Sequence, residues 1–169
     1  MSREAALAAF DEARDRFLAA FERVPDDALG FLKPGDELAL GGLLPHVTWG
    51  LEQYGQLLDT IVAGGFGEMR KRLEPAELER IAAVVRRGID AEGRPAELGS
   101  LREAHAHLAG RVRALPEADY EHAAPVFYGD AAEAHPTSAA VIMGWMTGHY
   151  DEHVPQIADL LTEAEAATG

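Results

Sequence analysis

Apolar residues recur at helical spacing in five stretches of the chain, separated by clusters of Pro, Gly and Asp. The first runs from about Ser2 to Val24. Ser2 is placed to cap it, and Leu7, Phe10, Phe17, Leu18 and Phe21 share one face. The second runs from about Asp36, a plausible cap, to Ala63; its inner face reads Ala39, Gly42, Leu43, His46, Trp49, Gly50, Gln53 and Leu57. Pro45 inside that segment predicts a kink just before His46, and Gly64-Gly65 closes it. A shorter third helix is predicted from Pro75 to about Asp90, with Leu78, Ile81, Val85 and Ile89 as its stripe. The fourth opens at a capping box, Ser100-Leu-Arg-Glu103, and places Leu101, His105, Leu108 and Val112 on one face. The fifth runs from about Pro136 to Ala164. Its inner face reads Ile142, Trp145, Met146, His149, His153, Gln156, Ile157 and Leu160, and Pro155 predicts a bend after the histidines. Residues 116–135 show no clear periodicity, and a connection that long is expected to be functional or mobile.

Composition narrows the class. At 169 residues with 47% hydrophobic content, one domain spanning 1–169 with a real core is expected. Ala, Leu and Glu are abundant and β-branched runs are few, which predicts an all-α protein. The formal net charge of −14 argues against nucleic acid and against anionic membrane surfaces as partners. No apolar run reaches membrane-spanning length, and Met-Ser-Arg-Glu-Ala-Ala-Leu lacks the pattern of a signal peptide. A cytoplasmic location is the corresponding expectation. The chain has no Cys, so disulfides, thiolate ligands and a Cys nucleophile are excluded.

The remaining chemistry lies in the histidines. His149 and His153 are four apart, so a helix presents both imidazoles on one face, one turn apart. That spacing lets a helix offer two nitrogens to one metal ion. His46 lies on the apolar face of another helix and is a candidate third ligand. Burying three imidazoles is costly unless their nitrogens find partners, and a shared divalent ion satisfies one nitrogen of each. Three neutral ligands leave a coordination position open for water or substrate. Separate hydrogen bonds to side chains or water are the alternative, and from spacing alone the two stand even. His105 faces inward as a core residue, a supporting group or a fourth ligand; His107, His122 and His135 are expected at the surface. Trp49, Gln53, Trp145 and Gln156 flank the histidines; the tryptophans read first as core, though all four fit a pocket wall. Gly42 and Gly50 suggest close helix approach or room for a ligand. Glu152, Tyr54 and Tyr128 are the nearby groups with acid–base capacity, and none is assigned a role.

His46 in Leu43-Leu-Pro-His-Val-Thr-Trp49 and the closing His149-Tyr-Asp-Glu-His153-Val-Pro-Gln156 together resemble the DinB-like superfamily of helical, metal-dependent enzymes. The helical layout is similar over nearly the whole chain. The resemblance implies a four-helix bundle of up-down-down-up topology, with Gly64–Gly99 as a long crossover carrying a short extra helix. It implies a divalent metal at His46, His149 and His153, a small-molecule substrate and a homodimer. Nitrogen ligands favour zinc, with nickel, iron, manganese or copper as alternatives. Characterised relatives bring a low-molecular-weight thiol (bacillithiol, mycothiol or glutathione) to the metal. The leading expectation is therefore a metalloenzyme that activates or transfers such a thiol. The alternatives are a metal-dependent hydrolase, or a non-enzymatic, stress-related helical protein with a structural metal. Pro45 and Pro155, both beside predicted ligands, depart from the family pattern.

Overall fold

Ser2 starts the first helix as its pattern predicts: the Ser2 hydroxyl accepts from the Ala5 backbone N–H, and α1 spans Arg3–Phe21. A computed structural model describes residues 1–168. After α1 come α2 (Leu43–Ala63), β1 (Met69–Lys71), α3 (Pro75–Arg87), α4 (Arg94–Ala114), the single turn α5 (Glu117–Tyr120), β2 (Ala124–Tyr128), β3 (His135–Thr137) and α6 (Ala139–Thr168). The protein is mostly helical, as composition predicts.

The four long helices meet through apolar faces. Phe10, Phe17 and Phe21 of α1 are fully buried, and the first two pack against the buried ring of Tyr150 on α6. On the other side, α2 packs against α4. Contacts between α1 and α4 run in opposite chain directions: Arg3 reaches Leu115, Asp11 reaches His105, and Arg94 reaches the Phe21 carbonyl. Along the α2–α6 seam, His46 meets His153, Gly50 meets His149 and Tyr54 meets Trp145. Each step of four residues forward on α2 is a step of four backward on α6. An i,i+4 row on each helix therefore faces its counterpart, as packing of such ridges requires.

The start of α2 differs from the sequence expectation. The helix begins at Leu43, after a 3₁₀ turn at Leu40–Gly42, and Asp36 caps nothing. Tertiary backbone bonds hold the preceding segment: Ala39 N–H donates to Val85 O and Gly41 N–H to Leu29 O. Gly42 is required there, because a Cβ would overlap the Val85 carbonyl. The later start places Pro45 in the first turn, where its missing N–H costs no intrahelical bond, so the reason for a kink before His46 disappears.

The start of α4 also moves. It begins at Arg94 with Pro95 in its first turn, and Ser100 lies inside it, donating its hydroxyl to Ala96 O. The crossover is accordingly shorter than Gly64–Gly99. Its helix α3 begins at Pro75 as expected, but Leu78 on the predicted inner stripe is 43% exposed. At its end Gly88 has φ +74°, and a Cβ there would approach Leu29 O to 2.7 Å. α6 is continuous through Pro155.

The aperiodic stretch is ordered. β2 pairs parallel with β1 (Met69 with Val126, Lys71 with Tyr128) and antiparallel with β3 (Ala124 with Thr137, Val126 with His135). This three-stranded sheet falls outside the all-helical expectation. Strands of three to five residues are too short to show a period, and Pro136, the expected start of the fifth helix, lies instead in β3, so that α6 begins at Ala139.

Candidate metal centre

The α2–α6 seam brings His46, His149 and His153 together, with one ring nitrogen of each within 4.8 Å of the others. Ring centroids are 4.9 Å apart for His46 and His149, 5.0 Å for His46 and His153, and 4.6 Å for His149 and His153. A single ion at the usual Zn–N distance spans nitrogens up to about 4.2 Å apart. The separations in the cluster are close to that span.

His153 fixes the chemistry of the cluster. Its Nδ1 lies 2.7 Å from Gln156 Oε1, an acceptor, so Nδ1 carries the proton and Nε2 carries the lone pair. That Nε2 is buried and has no hydrogen-bond partner. A buried acceptor left unpaired is costly, and an ion shared with the other two rings would satisfy it. Burial, reinforced by the neighbouring His153, lowers the His46 pKa to about 4. Burial, with both other histidines, lowers His149 to about 4 as well. The His153 pKa is lowered by burial, against the opposing effect of Gln156. All three rings are thus neutral at pH 7, the form in which imidazole binds metal. The three histidines can hold a metal ion.

Above His46 and His149 opens a cavity of about 420 Å³. Trp49, Tyr54, Trp145 and Met146 supply apolar walls, and Gly144 and Gly148 leave open space along α6. Both tryptophans are half-buried wall residues, and Trp145 also packs against the core. Tyr54 packs on Trp145 at 5.5 Å, and Tyr128 and His135 pack on it at 6.0 and 5.2 Å. The Tyr128 hydroxyl is bonded to Thr137. Burial raises the pKa of both Tyr54 and Tyr128, so both phenols stay protonated at neutral pH. Glu152 also lines this cavity. A larger hollow of about 480 Å³ beside Arg87, Asp90 and Glu97 contains no histidine.

A part-buried polar chain supports the Trp49 wall. Glu77 accepts from Trp49 Nε1 at 3.1 Å and from Gln53 Nε2 at 2.8 Å. Lys71 donates to the side-chain and main-chain oxygens of Gln53. Burial lowers the Lys71 pKa, with Glu77 opposing. Neither Glu77 nor Lys71 is prominent in the sequence. They lie in the crossover, 18 to 28 residues from their partners, where no local spacing links them.

A family model described as the DinB superfamily matches residues 9–157. The chain belongs to the DinB superfamily. No curated protein and no solved structure matches it. In this DinB-superfamily chain the other histidines fall outside the cluster. His105 is buried with both nitrogens engaged, Nε2 with Asp11 at 2.8 Å and Nδ1 with the Tyr150 hydroxyl at 3.2 Å. It is a satisfied core histidine. His107, His122 and His135 are exposed, although His122 stacks on Phe66 and His135 packs on Trp145. Asp151 points outward and pairs with Arg16. Among the described residues, no helix is long and apolar enough to cross a membrane.

Proposed function

We propose that the protein is a metal-dependent enzyme, with one divalent ion held by His46, His149 and His153. The observation that carries this reading is the buried, unpartnered His153 Nε2 beside two further neutral imidazoles. Four long helices in an up-down-down-up bundle, within a single domain, are the proposed frame. The opposed contacts of α1 with α4 and of α2 with α6 support it. Zinc is the default ion for such a nitrogen set, with nickel, iron or manganese next. When bound, such an ion lowers the pKa of a thiol or water held beside it.

The chain's own residues define the rest. Gln156 holds His153 in the tautomer that leaves Nε2 free. Trp49, Tyr54 and Trp145 wall the space where a substrate enters, and reduce the water around it. The chain has no Cys, so a thiol reaching the centre belongs to a co-substrate. Low-molecular-weight thiol activation is the proposed reaction class.

Elemental analysis of untagged protein tests the reading. One equivalent of a transition metal per chain is expected, lost in His153→Ala. A protein that contains no metal as purified, and takes up none on addition, overturns it. On loaded protein, thiol-transfer assays with electrophiles and hydrolase assays with esters distinguish the two reaction classes.

A further inference from the structure

The two tryptophans that wall the cavity over His46 and His149 are held in different ways. Trp145 packs against the core, with Tyr54, Tyr128 and His135 around its ring. Trp49 stands off the core, and among the described residues no aromatic ring packs on it. What anchors it is the hydrogen bond from its Nε1 to Glu77 Oε1 at 3.1 Å. Glu77 is itself braced. The same oxygen accepts from Gln53 Nε2 at 2.8 Å, and Gln53 Oε1 accepts from Lys71 Nζ at 3.0 Å. The buried Gln53 amide thus has a carboxylate on its donor side and an ammonium on its acceptor side, which fixes its orientation and strengthens both bonds. Lys71 pairs in register with Tyr128, which packs on Trp145. The crossover therefore braces both walls, and it reaches Trp49 through Glu77.

Glu77 does not line the cavity, so it acts on a ligand only through Trp49. We infer that Glu77 is a positioning residue of this site: it holds the Trp49 indole in the wall, where the aromatic or apolar body of a ligand at the histidine centre packs against it. Without that bond the half-buried indole samples other rotamers, and a ligand must order it at a cost in affinity. This inference rests on the proposed function and adds what selects the body of the substrate. The charge of a bound ion acts on the ligand's donor atom. The indole acts on the part of the ligand that the ion does not hold. Two thiols that differ only in their uncharged bodies therefore isolate the effect of Glu77.

The test uses zinc-loaded protein. Benzyl mercaptan and 2-mercaptoethanol are titrated separately by calorimetry, and zinc content is measured after each titration. The wild-type chain is expected to prefer benzyl mercaptan. Glu77→Ala is expected to cut that preference about three- to tenfold, with 2-mercaptoethanol binding and zinc affinity unchanged. Glu77→Gln keeps an oxygen that can accept from both Trp49 and Gln53, and is expected to restore most of the preference. A second readout needs neither metal nor ligand. The chain has two Trp, so NMR shows two indole N–H signals, and Trp49→Phe identifies the one from Trp49. In Glu77→Ala that signal is expected to shift and to exchange faster with water, while the Trp145 signal stays. No preference in the wild-type chain, an unaltered preference in Glu77→Ala, a loss that extends to zinc affinity, or an unmoved Trp49 signal overturns the inference. A chain that takes up no zinc sinks the proposed function instead, and the Trp49 signal still decides whether Glu77 holds the indole.

Discussion

His153 donates its Nδ1 proton to Gln156 Oε1 across 2.7 Å, one helical turn away on the same helix. Its other nitrogen is thereby committed as a lone pair facing His46 and His149. Gln156→Leu removes the bond that holds this tautomer, while the side chain is only half-buried and its loss leaves the core intact. Metal affinity is expected to fall about 10- to 100-fold, the usual cost of losing a partner that orients a ligand. Competition with a calibrated chelator measures it. Unchanged affinity would show that Gln156 does not orient the ring.

Metal addition is expected to stabilise the wild-type chain against heat. At a free ion concentration a hundred times the dissociation constant, the gain is about 2.7 kcal/mol. For a chain of this size that corresponds to roughly 5–10 °C in Tm. His149→Ala is expected to keep a metal-free Tm near that of the parent and to lose the metal-induced rise. A variant that keeps the full rise would remove His149 from the site.

The same histidines predict a pH dependence for metal-free protein. His46 and His149 have native pKa values of about 4, below the unfolded value of about 6.5. Between those values the unfolded chain binds more protons than the native one. Stability is therefore full above pH 6.5 and falls as pH drops toward 4. Burial lowers the His105 pKa too, with the Asp11 hydrogen bond opposing, which adds to the same trend. Urea unfolding at pH 7.5, 6.5 and 5.5 with chelator present reads it, and His46→Ala should flatten the slope. Stability that is constant over this range would contradict the native neutrality of these rings.

Gly42 lies one turn before His46 and against the Val85 backbone. Gly42→Ala forces the 3₁₀ turn and the end of α3 apart, at an expected cost of about 2–4 kcal/mol. Denaturant midpoints measure this. A loss below about 0.5 kcal/mol would mean that the close approach is not needed.

Much of this protein is local and can be read along the chain. Ser2 caps α1, Gly64 and Gly65 end α2, and Pro75 opens α3 where turn chemistry places them. The two closing histidines share a face because four residues make about one helical turn. The role of His105 is not decidable from spacing, since its partners Asp11 and Tyr150 come from two other helices.

What the tertiary structure decided is non-local. α2 starts at Leu43 because Leu29 and Val85 bond the segment before it, a stronger constraint than a local cap at Asp36. β1 pairs with β2 across more than fifty residues of chain, a contact that no short window contains. The sequence determined that His149 and His153 would stand together on an apolar helix face. The opposed packing of α2 on α6 decided that His46 would stand across from them, with two tryptophans walling the space above. A helix sets the spacing of its own side chains through backbone hydrogen bonds. Which other helix those side chains meet depends on how all the apolar faces are buried at once.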